Sequence, residues 1–410
     1  MKLLLISQYF PPEIGAGATR SESIVRYLRE KNWEIEVIAE LPNYPTGVVP
    51  DNYKHKFHQK EEYCGATIHR MWVWANSRSS NAQKLRLFIT YLWSSITYVI
   101  LHPKKYDFVY ASSPPIFAAI AGCLISKLLK TRFVLEIRDI WPDAAVDIGS
   151  VDKRSLLFKI SKKVERWLYQ EADLIIPVTE DSKKIIELRA PGKPIRVISN
   201  GVDLDMFKPI PNAPAVLDEP VATGKFRVGY VGSLGVIHDM KTLVKAAKLC
   251  EDDPDIEFLI IGDGGQREIL INAIEREKPK NLRWLGLKKH EQIPAYISSF
   301  DVAVNPVYGY DIFQSIITVK FYEYLACGVP VISTSDGLLK RESELSGSAI
   351  AVKPEDPCML ANEIKKLKNN PELLQEMRSK APEYIKAYSR KALVHQLSDT
   401  LIKFHRTDFQ

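Results

Sequence analysis

Two opposite charges, three residues apart, interrupt an otherwise apolar segment near the carboxyl end of the chain. The segment QSIITVKFYEYLACGVPVIST carries Lys320 and Glu323. It has the pattern of a helix, because Phe321, Tyr324 and Leu325 recur at the spacing that faces a core. Residues three apart lie on neighbouring parts of a helix surface. The ammonium could neutralise a phosphate, and the carboxylate could accept two hydrogen bonds from a vicinal diol such as ribose. An exposed Lys–Glu pair is the simpler alternative.

The same segment contains signals for both ends of this helix. Ser315 or Thr318 is expected to cap its start, and the helix should end near Cys327. Gly328 would then take the left-handed conformation that stops a helix, followed by Pro330. The run PVIST after it predicts a buried strand.

Three glycine-rich turns between a predicted strand and a predicted helix could present backbone N–H groups to a phosphate. They are YFPPEIGAGATR with Gly15 and Gly17, VGYVGSLGVIHDMKTL with Ser233 and His238, and IIGDGGQREIL with Gly262 and Gly264. Two such turns in the second half favour a nucleotide diphosphate over a lone phosphate. In the first turn, glycine could equally serve the backbone geometry alone. That turn lacks GxGxxG, which argues against a nicotinamide dehydrogenase.

A pair of charges follows another predicted strand in VLEIRDIWPDAAVDIG. Arg138 and Asp139 stand at the strand end, where ligands bind in open parallel sheets. The turn at Trp141 and Pro142 comes directly after them. We therefore interpret Arg138 and Asp139 as catalytic candidates. The alternative is that Asp139 or Asp143 only caps the next helix.

Composition excludes several classes of protein and site. The net charge of +6, from 56 basic and 50 acidic residues, is too mild for nucleic-acid binding but allows a basic face toward an anionic membrane or phosphorylated ligands. Five cysteines without a CxxC pair favour a reducing cytoplasm over disulfides or a zinc ribbon. His55 and His58 lack neighbouring ligands, so no metal site is predicted. The opening MKLLLISQ is too short for a signal peptide, and the mature chain is expected to begin at Met1.

Strands and helices alternate along the whole sequence. The apolar runs in the first half are KLLLISQ, EIEVIAE, YDFVYAS, RFVLEIRD, ADLIIPVT and IRVISNG. In the second half they are FRVGYVGS, IEFLIIGDG, LRWLGL, FDVAVNP and PVISTSDG. Runs that are apolar throughout indicate parallel strands covered on both faces. A chain of 410 residues is longer than one hydrophobic core usually organises. We therefore predict an α/β fold of two facing Rossmann-like, doubly wound domains.

The domain boundaries follow from a proline-rich stretch. Four prolines between 209 and 220 predict a linker over 206–224. It would separate an amino-terminal domain, 1–205, from a carboxyl-terminal domain, 225–388.

The apolar segment from Leu85 to Pro103 fits this scheme less easily. It is flanked by Arg86 and by Lys104 and Lys105. A buried helix is the favoured interpretation, and a membrane-docking surface is the second. A membrane span is the least favoured, although its length nearly permits one.

The quoted segments also occur in a specific order. SNGVDLDMFKP, YVGSLG, IIGDGG, NLRWLG, FDVAVNP and FYEYLACGVPVIST follow one another as in family 4 glycosyltransferases. With PPEIGAGATR and RDIWPD, the resemblance covers nearly the whole chain. The chain most resembles the surface-polysaccharide subgroup that includes N-acetylfucosamine transferases. This resemblance implies the GT-B fold, a retaining transfer without a metal or other cofactor, and a last helix, 389–410, that packs on the first domain.

The resemblance also implies roles for individual residues. The carboxyl-terminal domain would bind a nucleotide-diphosphate sugar, with Glu323 on the ribose as the second Glu of an E-x7-E motif. This sequence departs from the family pattern at four places, one of which is that the Lys usual after the phosphate-binding turn has no clear counterpart among His238, Asp239 and Met240. Ser315 replaces the first Glu, Ser233 stands where many members have a phosphate-binding Arg, and Arg138–Asp139 stands where many have a His. We infer that Lys320, helped by His238, carries the positive charge for the leaving diphosphate.

The combined interpretation is a retaining hexosyltransferase acting in surface polysaccharide synthesis. Its donor would be UDP-linked and carry an N-acetylated or deoxy hexose. The acceptor, held by the amino-terminal domain, would be a glycan or a polyprenyl-diphosphate-linked sugar. The expected location is cytoplasmic, with peripheral contact to the inner face of the cell membrane and no nucleic-acid partner. The alternatives are a non-hydrolysing UDP-N-acetylhexosamine epimerase and a non-catalytic, two-lobed nucleotide-sugar-binding protein.

Overall fold

The computed structural model divides the chain into two units. The amino-terminal unit comprises Met1–Asn200 with Lys391–Gln410, and the carboxyl-terminal unit comprises Gly201–Arg390. The structure describes residues 1–13, 15–44, 46–76, 80–143, 146, 152–213, 217, 224–310, 313 and 315–406. The division lies after Asn200, five residues before the predicted end of the first domain. Much of the predicted linker 206–224 lies outside the described residues.

The amino-terminal unit contains a seven-stranded sheet in the order β3-β4-β2-β1-β5-β6-β7. Its strands are β1 (Lys2–Ile6), β2 (Glu34–Glu40), β3 (His58–Tyr63), β4 (Ala66–Met71), β5 (Phe108–Ser113), β6 (Arg132–Ile137) and β7 (Leu174–Pro177). Its described helices are α1 (Ala16–Glu30), α2 (Asn81–Leu101), α3 (Ile116–Leu129), α4 (Leu156–Glu171) and α5 (Glu180–Arg189), followed at the chain end by α13 (Arg390–Arg406). All pairs are parallel except β3 with β4.

Both faces of this sheet are covered, which explains why its central strands are apolar at nearly every position. Leu4 and Ile6 of β1 point into the core formed with α2 and α3. Leu3 and Leu5 point into the opposite core, which includes α1 and Leu397 of α13. The last helix therefore packs on the amino-terminal unit.

The carboxyl-terminal unit repeats the arrangement with a parallel six-stranded sheet in the order β10-β9-β8-β11-β12-β13. Its strands are β8 (Phe226–Val231), β9 (Ile256–Ile261), β10 (Leu282–Trp284), β11 (Val302–Pro306), β12 (Val331–Thr334) and β13 (Ala349–Val352). Its described helices are α6 (Met240–Leu249), α7 (Arg267–Glu277), α8 (Ile293–Ser298), α9 (Val319–Ala326), α10 (Leu338–Ser346), α11 (Pro357–Lys368) and α12 (Pro371–Lys386). The predicted α/β class with two doubly wound sheets is confirmed.

Two local predictions differ from the structure. The run IRVISNG is not a strand, and only Ile195 in it makes an isolated parallel bridge, to Ile175. In addition, β3 and β4 form an antiparallel hairpin at the sheet edge that apolar runs did not reveal. β3 has the sequence HQKEEY, because an edge strand that alternates between half-buried and exposed positions does not need apolar side chains.

The apolar segment that begins at Leu85 lies within α2. Leu87, Tyr91 and Val99 are buried against the sheet, while Trp93 on another face is 63% exposed. The segment is thus a core helix on one face only. None of the helices that the structure describes has the length and apolar character that a bilayer span would need.

Candidate functional site

The helix that carries the opening charge pair has the predicted ends, with one exception. It runs from Val319 to Ala326, with Thr318 at the N-cap and Gly328 at a φ of 74° just beyond its end. The Thr318 hydroxyl does not cap the helix, and it accepts a hydrogen bond from Asn305 Nδ2 at 2.9 Å instead. Ser315 lies outside the helix, so neither predicted cap forms. The first turn of α9 therefore has no side-chain cap, which suits an anionic ligand.

Lys320 is buried, so the alternative of an exposed Lys–Glu pair is wrong. Its Nζ lies 2.8 Å from Tyr230 Oη and 2.7 Å from His238 Nε2. The same Nζ stands 4.4 Å from the centre of the Tyr230 ring. We call Lys320, Tyr230 and His238 the lysine cluster. It brings together residues from α9, the end of β8 and the loop before α6.

Burial controls the charge of this cluster. It lowers the pKa of Lys320 to about 7, and the nearby Glu323 carboxylate opposes that shift. Burial also lowers the pKa of His238 well below its usual value, and the neighbouring Lys320 adds to the effect. His238 is consequently neutral at physiological pH. For Glu323, burial raises the pKa, while Arg390 and Lys320 oppose the rise.

The glycines of this unit allow close packing around the lysine cluster. A Cβ on Gly232, whose φ is 145°, would lie 2.8 Å from Cε and 2.9 Å from Nζ of Lys320. A Cβ on Gly262 would lie 1.9 Å from the Gly232 carbonyl oxygen, and one on Gly264 would lie 2.8 Å from the Leu234 carbonyl oxygen. The two loops can therefore pack this closely only because positions 262 and 264 are glycine.

This packing corrects the predicted mechanism for two of these glycines. The Gly262 N–H donates to the Gly286 carbonyl at 2.8 Å, and the Gly264 N–H donates to Asp263 Oδ1 at 2.7 Å. Neither N–H is therefore a free donor for a phosphate, contrary to prediction. Ser233 contributes its carbonyl oxygen, which accepts a hydrogen bond from Tyr230 Oη at 2.7 Å.

The remaining predicted residues meet in the amino-terminal unit. Gly15, Gly17 and Arg138 line a cavity of about 390 Å³, together with Trp141; we call it the amino-terminal cavity. Gly17 leaves room for Arg138, since a Cβ there would lie 3.1 Å from a guanidinium nitrogen. Arg138 Nε donates to Ser112 Oγ at 3.0 Å, which fixes the guanidinium.

Asp139 follows Arg138 at the end of β6. Burial raises the pKa of its carboxyl, and the adjacent Arg138 opposes the rise. Asp143 makes ion pairs with Arg189 at 2.7 Å and with Lys162 at 3.1 Å. Most of the segment after Asp143, where a capped helix was the alternative, lies outside the described residues.

Several site residues were missed by sequence reasoning. Tyr230 lies one residue before the end of β8 as an apparently ordinary core residue, and nothing local marks it as the partner of a lysine 90 positions away. Tyr9 and Tyr44 line the amino-terminal cavity. Both follow predicted strands, KLLLISQ and EIEVIAE, so the strand-end rule applied to Arg138 could have found them.

Metal ligands do not converge in the described ranges, where no group of three or more His, Cys, Asp or Glu side chains could hold an ion. His58 instead stacks on Tyr98, with ring centres 4.7 Å apart. Its Nε2 lies 3.2 Å from His69 Nδ1. His55 is exposed in the loop before it.

Two family models match the chain, one in each half. Residues 218–384 match the model described as "Glycosyl transferases group 1", and residues 15–201 match the "Glycosyl transferase 4-like domain". WcaI of Escherichia coli K12, which is named for colanic acid biosynthesis, is 23% identical over 367 residues. That alignment covers 87% of this chain and 89% of WcaI.

Solved structures share the fold. Sucrose-phosphate synthase from Thermosynechococcus elongatus superposes with a TM-score of 0.78 at 18% identity, covering 98% of both chains. Anabaena Alr3699/HepE, solved in complex with UDP-glucose, has a TM-score of 0.71 at 18% identity and covers 98% of this chain and 100% of its own. Residues 218–384 therefore belong to the group 1 glycosyl transferases and residues 15–201 to the glycosyl transferase 4-like domains, and the chain has the GT-B fold.

Proposed function

We propose that this glycosyltransferase is a retaining enzyme of surface polysaccharide synthesis. It transfers an N-acetylated or deoxy hexose from a UDP-linked donor to a glycan or a polyprenyl-diphosphate-linked acceptor, without a metal or other cofactor. The colanic acid name of WcaI supports the pathway class. The UDP-glucose complex of the Anabaena structure supports the nucleotide. The sugar type rests on the sequence resemblance to N-acetylfucosamine transferases.

The observation that carries this proposal is a buried lysine beside the uncapped start of α9. Lys320 and the first N–H groups of that helix together offer positive charge without a metal ion. A diphosphate is the ligand chemistry that such a site accepts. Glu323, one turn further along α9, is the proposed acceptor of hydrogen bonds from the ribose hydroxyls.

The reaction requires a stabilised leaving group. The bond between the anomeric carbon and the diphosphate oxygen breaks, and its electron pair moves onto the UDP. An acceptor hydroxyl forms the new bond on the same face, and its proton passes to the departing phosphate oxygen. Positive charge placed before the reaction lowers the barrier, because charge develops on that oxygen in the transition state. Lys320 is proposed to supply it.

The acceptor is assigned to the amino-terminal cavity. Aromatic rings of Tyr9, Tyr44 and Trp141 provide flat surfaces for a sugar, and Arg138 provides one cation. Asp139 lies beside it with a raised pKa. A carboxylate with a raised pKa is a better proton acceptor than an ordinary one. These two residues are therefore proposed to orient the acceptor and assist its hydroxyl.

Peripheral membrane contact is proposed through exposed apolar side chains on the helices α2 and α4. Trp93 of α2 is 63% exposed and Leu157 of α4 is 54% exposed. The exposed Lys159 and Lys163 flank the apolar part of α4 and complement an anionic bilayer. Lys104, which the sequence placed in this role, is instead paired with Glu36 at 2.8 Å.

The direct test is transfer of a labelled sugar. The purified protein is incubated with radiolabelled UDP-N-acetylglucosamine, UDP-N-acetylfucosamine or UDP-glucose and a lipid extract of bacterial membranes. Label from one donor should move into the lipid fraction, and the Arg138→Ala variant should transfer less of it without losing UDP affinity. Label that changes only into an isomeric UDP-linked sugar would identify the epimerase. Binding without any product would identify the non-catalytic protein.

A further inference from the structure

The hydrogen bonds of the lysine cluster have a defined direction. Tyr230 Oη lies 2.7 Å from the Ser233 carbonyl oxygen, and a carbonyl can only accept. The phenol hydrogen is therefore committed to Ser233. Lys320 must then be the donor to Tyr230 Oη at 2.8 Å.

The hydrogen bonds of the His238 imidazole also have a defined direction. Its Nδ1 lies 3.3 Å from the carbonyl oxygen of Pro306, so Nδ1 carries the hydrogen. In a neutral ring the other nitrogen is then a bare acceptor. Lys320 Nζ donates to that nitrogen, Nε2, at 2.7 Å.

Lys320 thus has two protein acceptors, which is the number of hydrogens on a neutral amine. An ammonium has a third hydrogen, and the two bonds above are the only ones that Lys320 Nζ makes within the described part of the chain. We propose that Tyr230 and His238 position Lys320 so that a third N–H has an acceptor only when a diphosphate oxygen binds. Lys320 then takes up one proton from solvent. This inference rests on the proposed donor, and it adds that donor binding is coupled to protonation.

The charged groups around Lys320 support this coupling. The same helix contributes Glu323, whose carboxylate opposes the effect of burial on Lys320. Next to His238, the Asp239 carboxylate accepts hydrogen bonds from the N–H and the hydroxyl of Thr242, at 3.1 and 2.5 Å. Behind the Gly262 loop, Asp263 is paired with Arg267 at 3.1 Å.

The pKa of Lys320 then sets the pH range of the effect. In the free protein it lies at about 7, against a usual value of 10.5. A bound diphosphate raises that pKa, because the negative charge favours the ammonium. Below the free pKa the lysine is already charged, so donor affinity does not depend on its protonation. Above it, binding must take up the proton, and affinity falls by up to about tenfold per pH unit.

The free protein allows a test that does not depend on the donor. Lysine labelled with ¹³C at Cε is followed by NMR as the pH is raised. One lysine signal should titrate near neutral pH, and it should be missing in Lys320→Met. The matched control is Lys241→Met, which removes an exposed lysine on α6 and should leave the near-neutral signal in place. If every lysine titrates in the ordinary range, the proposal is overturned.

Calorimetry then measures the coupling itself. UDP-N-acetylglucosamine and GDP-mannose are titrated in two buffers of different ionisation enthalpy, since neither diphosphate has a titrating proton near neutral pH. One pH unit above the free pKa, binding should take up nearly one proton, and at acid pH none. Binding without uptake would overturn the coupling. If neither sugar binds, the proposed donor is wrong, whereas the NMR titration still decides the state of Lys320.

The role of His238 is separated by two substitutions. His238→Ala removes one acceptor and admits water, so the free Lys320 signal should titrate at higher pH and proton uptake should shrink. His238→Gln keeps an acceptor oxygen at a similar reach and should restore the near-neutral titration. Equal behaviour of the two variants would show that His238 only fills space.

Discussion

Gly232→Ala places one methyl group against the tip of Lys320. The added Cβ would lie 2.8 Å from Cε and 2.9 Å from Nζ, whereas ordinary contact begins at 3.4 Å. The lysine tip must therefore move by more than half an ångström. The backbone of Gly232, at a φ of 145°, is also one that side chains rarely adopt.

These two effects have different magnitudes and different readouts. The unfavourable backbone conformation costs about 1–3 kcal/mol of unfolding free energy. Loss of the two hydrogen bonds to Tyr230 and His238 adds about 0.5–1.5 kcal/mol each. For the reaction, a displacement of more than half an ångström should lower turnover by about 10- to 100-fold, because a misplacement of about 1 Å costs about 100-fold.

Urea unfolding and steady-state turnover separate the two effects when a matched glycine is replaced. Gly286→Ala has a positive φ of 65° but no atom within 4 Å of the new Cβ. It should lose stability through the backbone alone and keep its turnover. Turnover of Gly232→Ala equal to that of Gly286→Ala would refute the placement of Lys320 in the reaction.

Three further predictions concern the nucleotide, the metal and the membrane. Glu323→Ala should weaken UDP binding by about 1.5–3 kcal/mol in calorimetry. Unchanged affinity would show that Glu323 does not bind the ribose hydroxyls. EDTA should leave turnover intact, because Lys320 and the start of α9 supply the positive charge; loss restored by Mg²⁺ or Mn²⁺ would contradict this. Leu157→Glu should reduce pelleting with anionic liposomes at low salt, whereas Leu345→Glu, which is even more exposed to solvent but lies in the other unit, should not.

Local patterns were sufficient for much of the fold. The periodicity of Phe321, Tyr324 and Leu325, with Gly328 beyond them, located α9 to within a few residues because a helix and its stop are encoded by neighbours in sequence. The apolar runs located most strands because both faces of each sheet are buried. The polar strand β3 was missed because its stability comes from pairing with β4 and not from burial.

The chemistry of the site depends on contacts that sequence spacing does not encode. Lys320 meets His238 across 82 positions and Tyr230 across 90. Thr318 occupies a cap position, yet its hydroxyl accepts a hydrogen bond from Asn305 on β11. Gly262 was expected to offer an N–H to a ligand, but a neighbouring loop had already satisfied it. In each case a tertiary partner outcompeted the local role.

The most direct measurement of the central claim is the turnover of Lys320→Met, with the donor that wild type accepts, relative to its affinity for that donor. The amine is proposed to stabilise charge that develops as the diphosphate leaves. Its loss should therefore reduce kcat at saturating donor by about 100- to 1,000-fold, in addition to the weaker donor binding that follows from the lost charge. Lys320→Arg should recover part of kcat, because it retains the charge with a different reach. A Lys320→Met enzyme with wild-type kcat would contradict the account, since the buried lysine would then serve packing alone.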